Sequence, residues 1–411
     1  MKADVLIIGG GAAGMMCAVA LKIKRPEYKV IIAEKKDRVG KKLLATGNGR
    51  CNLGNSGAGP GNFHSASGNG AAFVQPALNR FSPDDNRAFF EQLGLLITED
   101  SAGRQYPYTN QAASVLDILR LHLASLGVEV MTDTAVCSLR KSHAFTAETE
   151  NGALNAEKVV LAAGGLASPQ ISSADEIWDC LEELGHRHSV FFPALTQIKT
   201  AGGLPKALKG LRIPCEITLE TGGKAEQKEK GEVLFNDYGI SGIPAFQLSR
   251  GVGRNFAEAV PAEQKLIIDT LPQLTEEEIY GLLAVRRQKF DTVLENFLTG
   301  TVNKKLGQQV LKLAGAAPLS RRCSTLVDWE LAAVAHLLKN LELWVLGTAG
   351  WKNAQVTAGG LLTADFSAET LESKLVPGLF AVGEVLDIDG DCGGYNLTWA
   401  WSSARLAAEN L

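Results

Sequence analysis

The residues best suited to chemistry stand near the start of the chain. Gly9, Gly11 and Gly14 follow the apolar run Asp4-Val5-Leu6-Ile7-Ile8 in the spacing Gly-x-Gly-x-x-Gly. Residues 15–24 contain Ala, Met and Leu and suit a helix. Residues 28–33 form a second apolar run that ends at Glu34, twenty residues after Gly14. Strand, tight turn, helix and strand make the unit that cradles a dinucleotide. In it Gly9 permits the sharp turn, Gly11 lets the backbone approach a pyrophosphate, and Gly14 allows helix to pack closely on strand. Ala12 and Ala13 complete the turn, and the N-terminus of the helix after it presents unpaired amides and a partial positive charge to the phosphates. Glu34 can accept hydrogen bonds from an adenosine ribose and would repel a 2′-phosphate, an objection that Lys35 and Lys36 soften without removing. The turn alone does not separate NAD from FAD.

The elements that position such a turn must come from a chain of 411 residues, long enough for two or three domains. Its 45% hydrophobic and 21% charged content is that of a globular protein. A formal net charge of −4 gives no general attraction to polyanions and argues against nucleic acid as the main partner. The seven cysteines are scattered and form no CxxC pair, which points to reduced thiols and a cytoplasmic protein. Residues 331–346 are apolar but interrupted by His336, Lys339, Asn340 and Glu342, so no membrane span is expected. The first hydrophobic run ends in glycines, as a strand does and a signal peptide does not. His64, His122, His143, His186, His188 and His336 show no HExxH or similar spacing, and no metal site is expected.

Four further segments carry a family resemblance. They are Gly40-Lys41-Lys42-Leu43-Leu44-Ala45-Thr46-Gly47-Asn48-Gly49-Arg50-Cys51-Asn52, Val159-Val160-Leu161-Ala162-Ala163-Gly164-Gly165, Ala354-Gln355-Val356-Thr357-Ala358-Gly359-Gly360, and Gly378-Leu379-Phe380-Ala381-Val382-Gly383-Glu384 running on to Gly393-Gly394-Tyr395-Asn396-Leu397-Thr398-Trp399-Ala400. Together they resemble the HI0933-like flavoprotein family over nearly the whole chain. The Thr-Gly-Asn-Gly-Arg-Cys-Asn run and the Gly-Gly-Tyr-Asn-Leu segment are the specific parts. The resemblance implies an α/β fold: a Rossmann-type FAD-binding domain of the glutathione-reductase-like superfamily, interrupted by a small inserted β domain that carries a helical lobe. It implies FAD as cofactor, with Lys42, Thr46, Gly47, Asn48 and Asn52 lining the flavin and Val136 meeting the adenine. Glu384 or Asp387 would lie near the ribityl chain or pyrophosphate, and Asn396 and Leu397 over the pyrimidine end of the ring. The residues agree in part: the apolar runs 159–163 and 379–382 end in glycine, as buried parallel strands do where a ligand covers their ends. Gly164-Gly165 and Gly383 would then let the backbone approach the cofactor, with Ala163 beside them among the expected cofactor-binding residues.

The two flavin segments must meet, so the chain between them reads as an insertion. We expect the FAD domain over 1–189 and 353–411, an antiparallel β domain over 190–270 and 320–352, and a helical lobe over 271–319. Residues 195–200, 212–220 and 232–236 read as strands, with Thr221-Gly222-Gly223-Lys224 as a hairpin turn. Thr275-Glu276-Glu277-Glu278 opens a helix running to about Leu298, and 304–314 and 328–341 read as two more. The insertion would cap the flavin and shape a small-molecule pocket. Its segment Gly231–Gly242 departs from the family motif, which carries Thr-His where Asn236-Asp237 stand here. Arg50, Cys51, Tyr106, Asp237, Tyr238 and Thr357 are conceivable pocket groups, none with an assignable catalytic role. Gly202-Gly203 and Gly251-Val252-Gly253 lack a strand–helix setting, so NADH or NADPH, if it is the donor, would bind transiently over the ring. Three activities are consistent with the resemblance: a NAD(P)H-linked flavin reductase of a small unsaturated carbonyl compound, a flavin oxidase of an amine or aminoketone, and a non-catalytic or RNA-associated flavoprotein. The oligomeric state is not legible in the sequence.

Overall fold

A computed structural model describes residues 1–171, 177–290 and 292–411. The chain divides into two compact units, Met1–Pro193 with Trp351–Leu411, and Ala194–Gly350. The sequence reading had set the corresponding breaks at 189/190 and 352/353.

The first unit is built on β1 (Lys2–Ile8), α1 (Ala12–Lys24), β2 (Val30–Ala33) and β3 (Glu129–Met131). It continues through a meander of β4 (Val136–Lys141), β5 (Phe145–Thr149) and β6 (Gly152–Leu161). Every residue of β2 is buried, and Val5, Leu6 and Ile7 of β1 are at most 1% exposed. Continuous apolar runs of this kind suit parallel strands covered on both faces. The parallel order is β3-β2-β1-β6, and the strand Leu379–Ala381 pairs with the far side of β6. The register aligns Met131, Ala33, Ile8, Leu161 and Ala381 in one row across the sheet. Every chain segment leaving this row leaves at the C-terminal edge of the strands, where open α/β sheets bind ligands. Within this one mixed sheet β6 pairs antiparallel with β5 over Gly152–Ala156 and parallel with β1 over Asn155–Leu161. The helix Tyr395–Asn410 closes the unit against α1 and buries Trp399 and Trp401.

The second unit is a closed six-stranded antiparallel barrel. Its strands are β7 (Ile198–Thr200), β8 (Arg212–Thr221), β9 (Lys224–Asn236), β10 (Gly239–Ser241), β11 (Gln264–Asp269) and β12 (Leu341–Thr348), in the order β7-β10-β9-β8-β11-β12 with β12 returning to β7. Gly222 and Gly223 both have positive φ, 56° and 79°, as a two-residue type I′ hairpin between β8 and β9 demands. Helices Ile243–Phe256, Glu276–Lys289, Lys304–Leu313 and Asp328–Lys339 belong to this unit, and its own core runs from Ile198 to Val345.

Several local expectations are corrected. The first strand begins at Ile198, because Leu195 has φ 50°. The helix opened by Thr275 stops at Lys289, since Phe290 is extended (φ −102°, ψ 107°); Asp291, inside the expected helix, lies outside the described residues. Strands β11 and β12 and the helix Ile243–Phe256 were not anticipated. In β12 burial alternates strictly, whereas 328–339 is helical, so one apolar stretch changes period at Asn340.

Candidate functional site

The three glycines of the opening turn can be tested one by one. Gly9 has φ 107°, and a Cβ there would stand 2.4 Å from the Ala162 carbonyl oxygen. A Cβ on Gly14 would stand 2.0 Å from the Gly9 carbonyl oxygen, so that position is closed by the protein's own backbone. A Cβ on Gly11 would meet nothing within 4 Å. The space above Gly11 is therefore open while its neighbours are packed shut, which fits a backbone that a pyrophosphate approaches. No side chain caps α1, so Ala12, Ala13 and Gly14 present helix N-terminal amides there. Glu34 is held beside the turn: its carboxylate accepts from the Gly10 amide at 2.8 Å and the Lys36 amide at 2.9 Å. Lys35 is half-buried next to it. The loop after β3 lies against the same corner, with Thr134 N–H donating to the Glu34 carbonyl and Asp133 N–H to that of Lys36. Val136 begins β4 just beyond and is buried.

The loop after the short helix Lys41–Ala45 is conformationally unusual. Gly47, Asn48, Gly49 and Cys51 all have positive φ, two of them non-glycine residues for which this region costs about 1 kcal/mol each. Strain of this kind collects where a loop must meet a ligand. Thr46 Oγ donates to the Leu43 carbonyl, and the Cys51 amide to that of Thr46. Burial pushes the Cys51 thiol up to about 12 against the opposing effect of its hydrogen bond to Thr46, so it is a packed neutral group and not a thiolate. Arg50 lies over the Tyr106 ring at 4.7 Å. Asn52 Oδ1 is buried with no hydrogen-bond partner, and a Cβ on Gly394 would stand 2.8 Å from it. An orphaned acceptor facing a glycine turn is a polar group waiting for a donor.

Gly394 (φ 105°) precedes the helix Tyr395–Asn410, which again has no side-chain cap. The Asn396 side chain is already spoken for: its Oδ1 accepts from the Gly390 amide and its Nδ2 donates to the Gly390 carbonyl, each at 2.8 Å. What Asn396 and Leu397 present at this end is backbone N–H. Gly383 (φ 71°) is clamped by the same helix, donating to Ser403 Oγ and accepting from the Trp399 indole. A Cβ on Gly383 would come within 3.0 Å of Ala13, which ties the C-terminal segment to the opening turn.

Two expected ligand contacts are occupied within the protein. Lys42 Nζ pairs with Glu384 at 2.7 Å, and the other Glu384 oxygen accepts from the Thr357 amide at 2.8 Å. Asp387 is fully buried and accepts from Ser65 Oγ, the Ala66 amide, and both the amide and hydroxyl of Ser67. With four donors on it, this carboxylate holds the 65–67 loop. Thr357, which the sequence offered only as a conceivable pocket group, is a hinge of the site. Its Oγ accepts from the Leu166 and Ala167 amides at 2.7 and 2.9 Å, directly after Ala163 and Gly164. Asp237 is paired with Lys209 on the surface of the barrel unit, and Tyr238 is 44% exposed. Sequence reading missed Ser403, and the structural role of Thr357, because a hydroxyl bonded to backbone amides leaves no spacing to recognise. Among the described residues, no group of three His, Cys, Asp or Glu side chains is arranged to hold a metal, and no helix is long and apolar enough to cross a membrane.

Comparisons with known proteins identify the family of the chain. Residues 3–410 match the model of the HI0933-like protein Rossmann domain. A 3-dehydro-bile acid delta(4,6)-reductase from Clostridium scindens is 35% identical over 410 residues, 98% of this chain and 97% of that protein. A ribosomal RNA dihydrouridine synthase from Escherichia coli is 29% identical over 422 residues, 99% of this chain and 98% of that protein. Among solved structures, a 3-ketosteroid-delta4-(5alpha)-dehydrogenase from Rhodococcus jostii shares the fold with a TM-score of 0.50 at 14% identity, over 99% of this chain and 97% of that one. The chain belongs to the HI0933-like family of Rossmann-fold proteins.

Proposed function

We propose that this protein uses FAD to reduce a carbon–carbon double bond conjugated with a carbonyl group in a small organic molecule, with NADH or NADPH as the donor that recharges the flavin. The observation that carries this reading is the chemistry shared by two relatives that each span the whole chain. A 3-dehydro-bile acid delta(4,6)-reductase acts, by its name, on double bonds at positions 4 and 6, in conjugation with the 3-oxo group, and dihydrouridine is uridine with the ring double bond beside its carbonyl saturated. Both are additions of two electrons and two protons across an activated alkene. The higher identity to the bile-acid enzyme and the net charge of −4 favour a free small molecule over a ribosomal RNA.

In this reading the Gly9–Gly14 turn and the amides of Ala12, Ala13 and Gly14 hold the pyrophosphate, and Glu34 and Lys35 the adenosine ribose. Val136 borders the adenine. Ala163, Gly164 and Gly383 let the backbone close on the cofactor's middle. Lys42, paired with Glu384, neighbours the flavin with Thr46, Gly47, Asn48 and Asn52, and Asp387 acts at one remove through the 65–67 loop. When bound, the flavin supplies hydride transfer. The uncapped N-terminus at Asn396 and Leu397 favours negative charge on the reduced ring. A cytoplasmic setting suits the seven free thiols.

Anaerobic stopped-flow absorbance of the yellow protein tests this. NADH or NADPH should bleach the flavin, and a 3-oxo-4-ene steroid should restore its colour. Recovery with ribosomal RNA alone would shift the substrate to the uracil ring. Bleaching by an amine and by neither nicotinamide would replace the proposal with an oxidase.

A further inference from the structure

Next to the closing helix lies a polar cluster that none of the roles above uses. His64 sits on a two-residue strand, Phe63–His64, paired antiparallel with Asp389–Gly390. That pairing brings His64 Nε2 to 2.9 Å from Asp391 Oδ1. The second Asp391 oxygen accepts from Asn62 Nδ2 at 3.0 Å, and the Asp391 amide donates to the Asn62 carbonyl. The carboxylate is thus pinned by two side chains, and it fixes the imidazole with its proton on Nε2 and a lone pair on Nδ1. The His64 side chain is 36% exposed, against 23% for Asp391, so the dyad opens on the histidine side. Asp391 stands three residues before Gly394, on the turn that delivers the uncapped helix N-terminus to the proposed flavin site. The other side of His64 is fixed as well, because Asp387 grips the next three residues.

We propose that His64, oriented by Asp391, is the proton donor to the substrate in the oxidative half of the reaction. This rests on the activated-alkene reading above. Held by the residues named above, a flavin recharged by a nicotinamide would supply the hydride for the β-carbon. The α-carbon takes a proton from Nδ1 of the imidazolium, which becomes neutral and is reprotonated by solvent. Asp391 stays ionised and steadies the cation, as a carboxylate behind an imidazole does. The neighbouring ionisable groups suit no such shuttle. Burial pushes the Cys392 thiol up to about 11 and raises the Tyr395 phenol, while Asp387 is consumed by its four donors and Asp389 is buried in the paired strand. The helix Gly70–Arg80, which packs on this strand, brings only Arg80, and that is bonded to Glu409.

The test uses full-length holoprotein reduced anaerobically with dithionite and mixed with a 3-oxo-4-ene steroid. His64→Ala should keep the flavin spectrum and the rate of reduction by nicotinamide, but recover its colour about a hundredfold more slowly. Free imidazole should restore part of that rate. His64→Gln, which retains an N–H for Asp391, serves the same purpose if the alanine variant does not fold. Independently of turnover, NMR of the imidazole nitrogens should show His64 protonated at Nε2 in the wild type and a mixed tautomer in Asp391→Asn. Wild-type recovery rates in both His64 variants, or a loss that imidazole leaves untouched, overturn the assignment of His64 alone. A wild-type protein that the steroid fails to reoxidise overturns the substrate reading and this inference with it.

Discussion

Gly11 and Gly14 stand three residues apart and do opposite work. Gly14 is closed by the Gly9 carbonyl 2.0 Å from where a methyl would sit, whereas Gly11 faces open space at an unstrained φ of −78°. Gly14→Ala should therefore damage the fold itself, lowering stability by about 1–3 kcal/mol as overpacking does. Gly11→Ala should leave the melting of the apoprotein almost unchanged and weaken FAD binding by about tenfold, or roughly 1.4 kcal/mol. Thermal melts with and without FAD separate the two, and a Gly11→Ala protein that binds FAD normally would sink the pyrophosphate site. The spacing of these glycines was legible in the sequence because each task demands a missing Cβ at a fixed step along the turn. Asp387 and Asn396 were legible only as neighbours of the site. Both are satisfied by local partners, the Ser65–Ser67 donors and the Gly390 backbone, which come from turns that no sequence spacing announces.

The hairpin of β8 and β9 shows the same contrast for whole elements. Its turn was readable, because a Gly-Gly pair adopts two successive positive φ angles without strain. Its length was not, since β9 reaches back to Lys224 through residues that are mostly charged. Charge pairing across the strands takes the place of apolar alternation there: Lys228 and Lys230 both bond Glu216 on β8, at 2.5 and 2.9 Å. These hydrogen bonds hold the Glu216 carboxyl below its usual range. A depressed carboxylate stabilises the fold above its unfolded pKa and loses that contribution as pH falls through the folded value. Denaturant titrations should show Glu216→Gln losing stability near neutral pH while matching the wild type in acid. A constant difference at every pH would mean the side chain acts by packing instead.

For the molecule as a whole, the separate cores of the two units carry the next expectation. Residues 194–350 close their barrel without help from the Rossmann sheet and bury Ile217, Leu219, Phe235 and Leu266 completely. Expressed alone, this segment should melt cooperatively and bind no FAD, because every proposed cofactor contact lies in the other unit. A non-cooperative melt, or flavin retained by the isolated barrel, would sink that division of labour. The parallel pairing of Leu379–Ala381 with β6 was legible in outline, since both apolar runs end in glycine. The closure of the barrel was not, because β11 and β12 pair across the whole helical stretch between them.

The row formed by Met131, Ala33, Ile8, Leu161 and Ala381 also has a meaning for biosynthesis. Its last member and the helix beyond it are translated only after the entire barrel. At about 5–20 residues per second, the opening turn and the Thr46–Asn52 loop wait on the order of half a minute for their partners. The barrel can fold on the ribosome during that pause, but the cradle has no floor until Leu379–Ala381 joins β6. In the proposed reading, flavin capture is then a late event in the life of each chain.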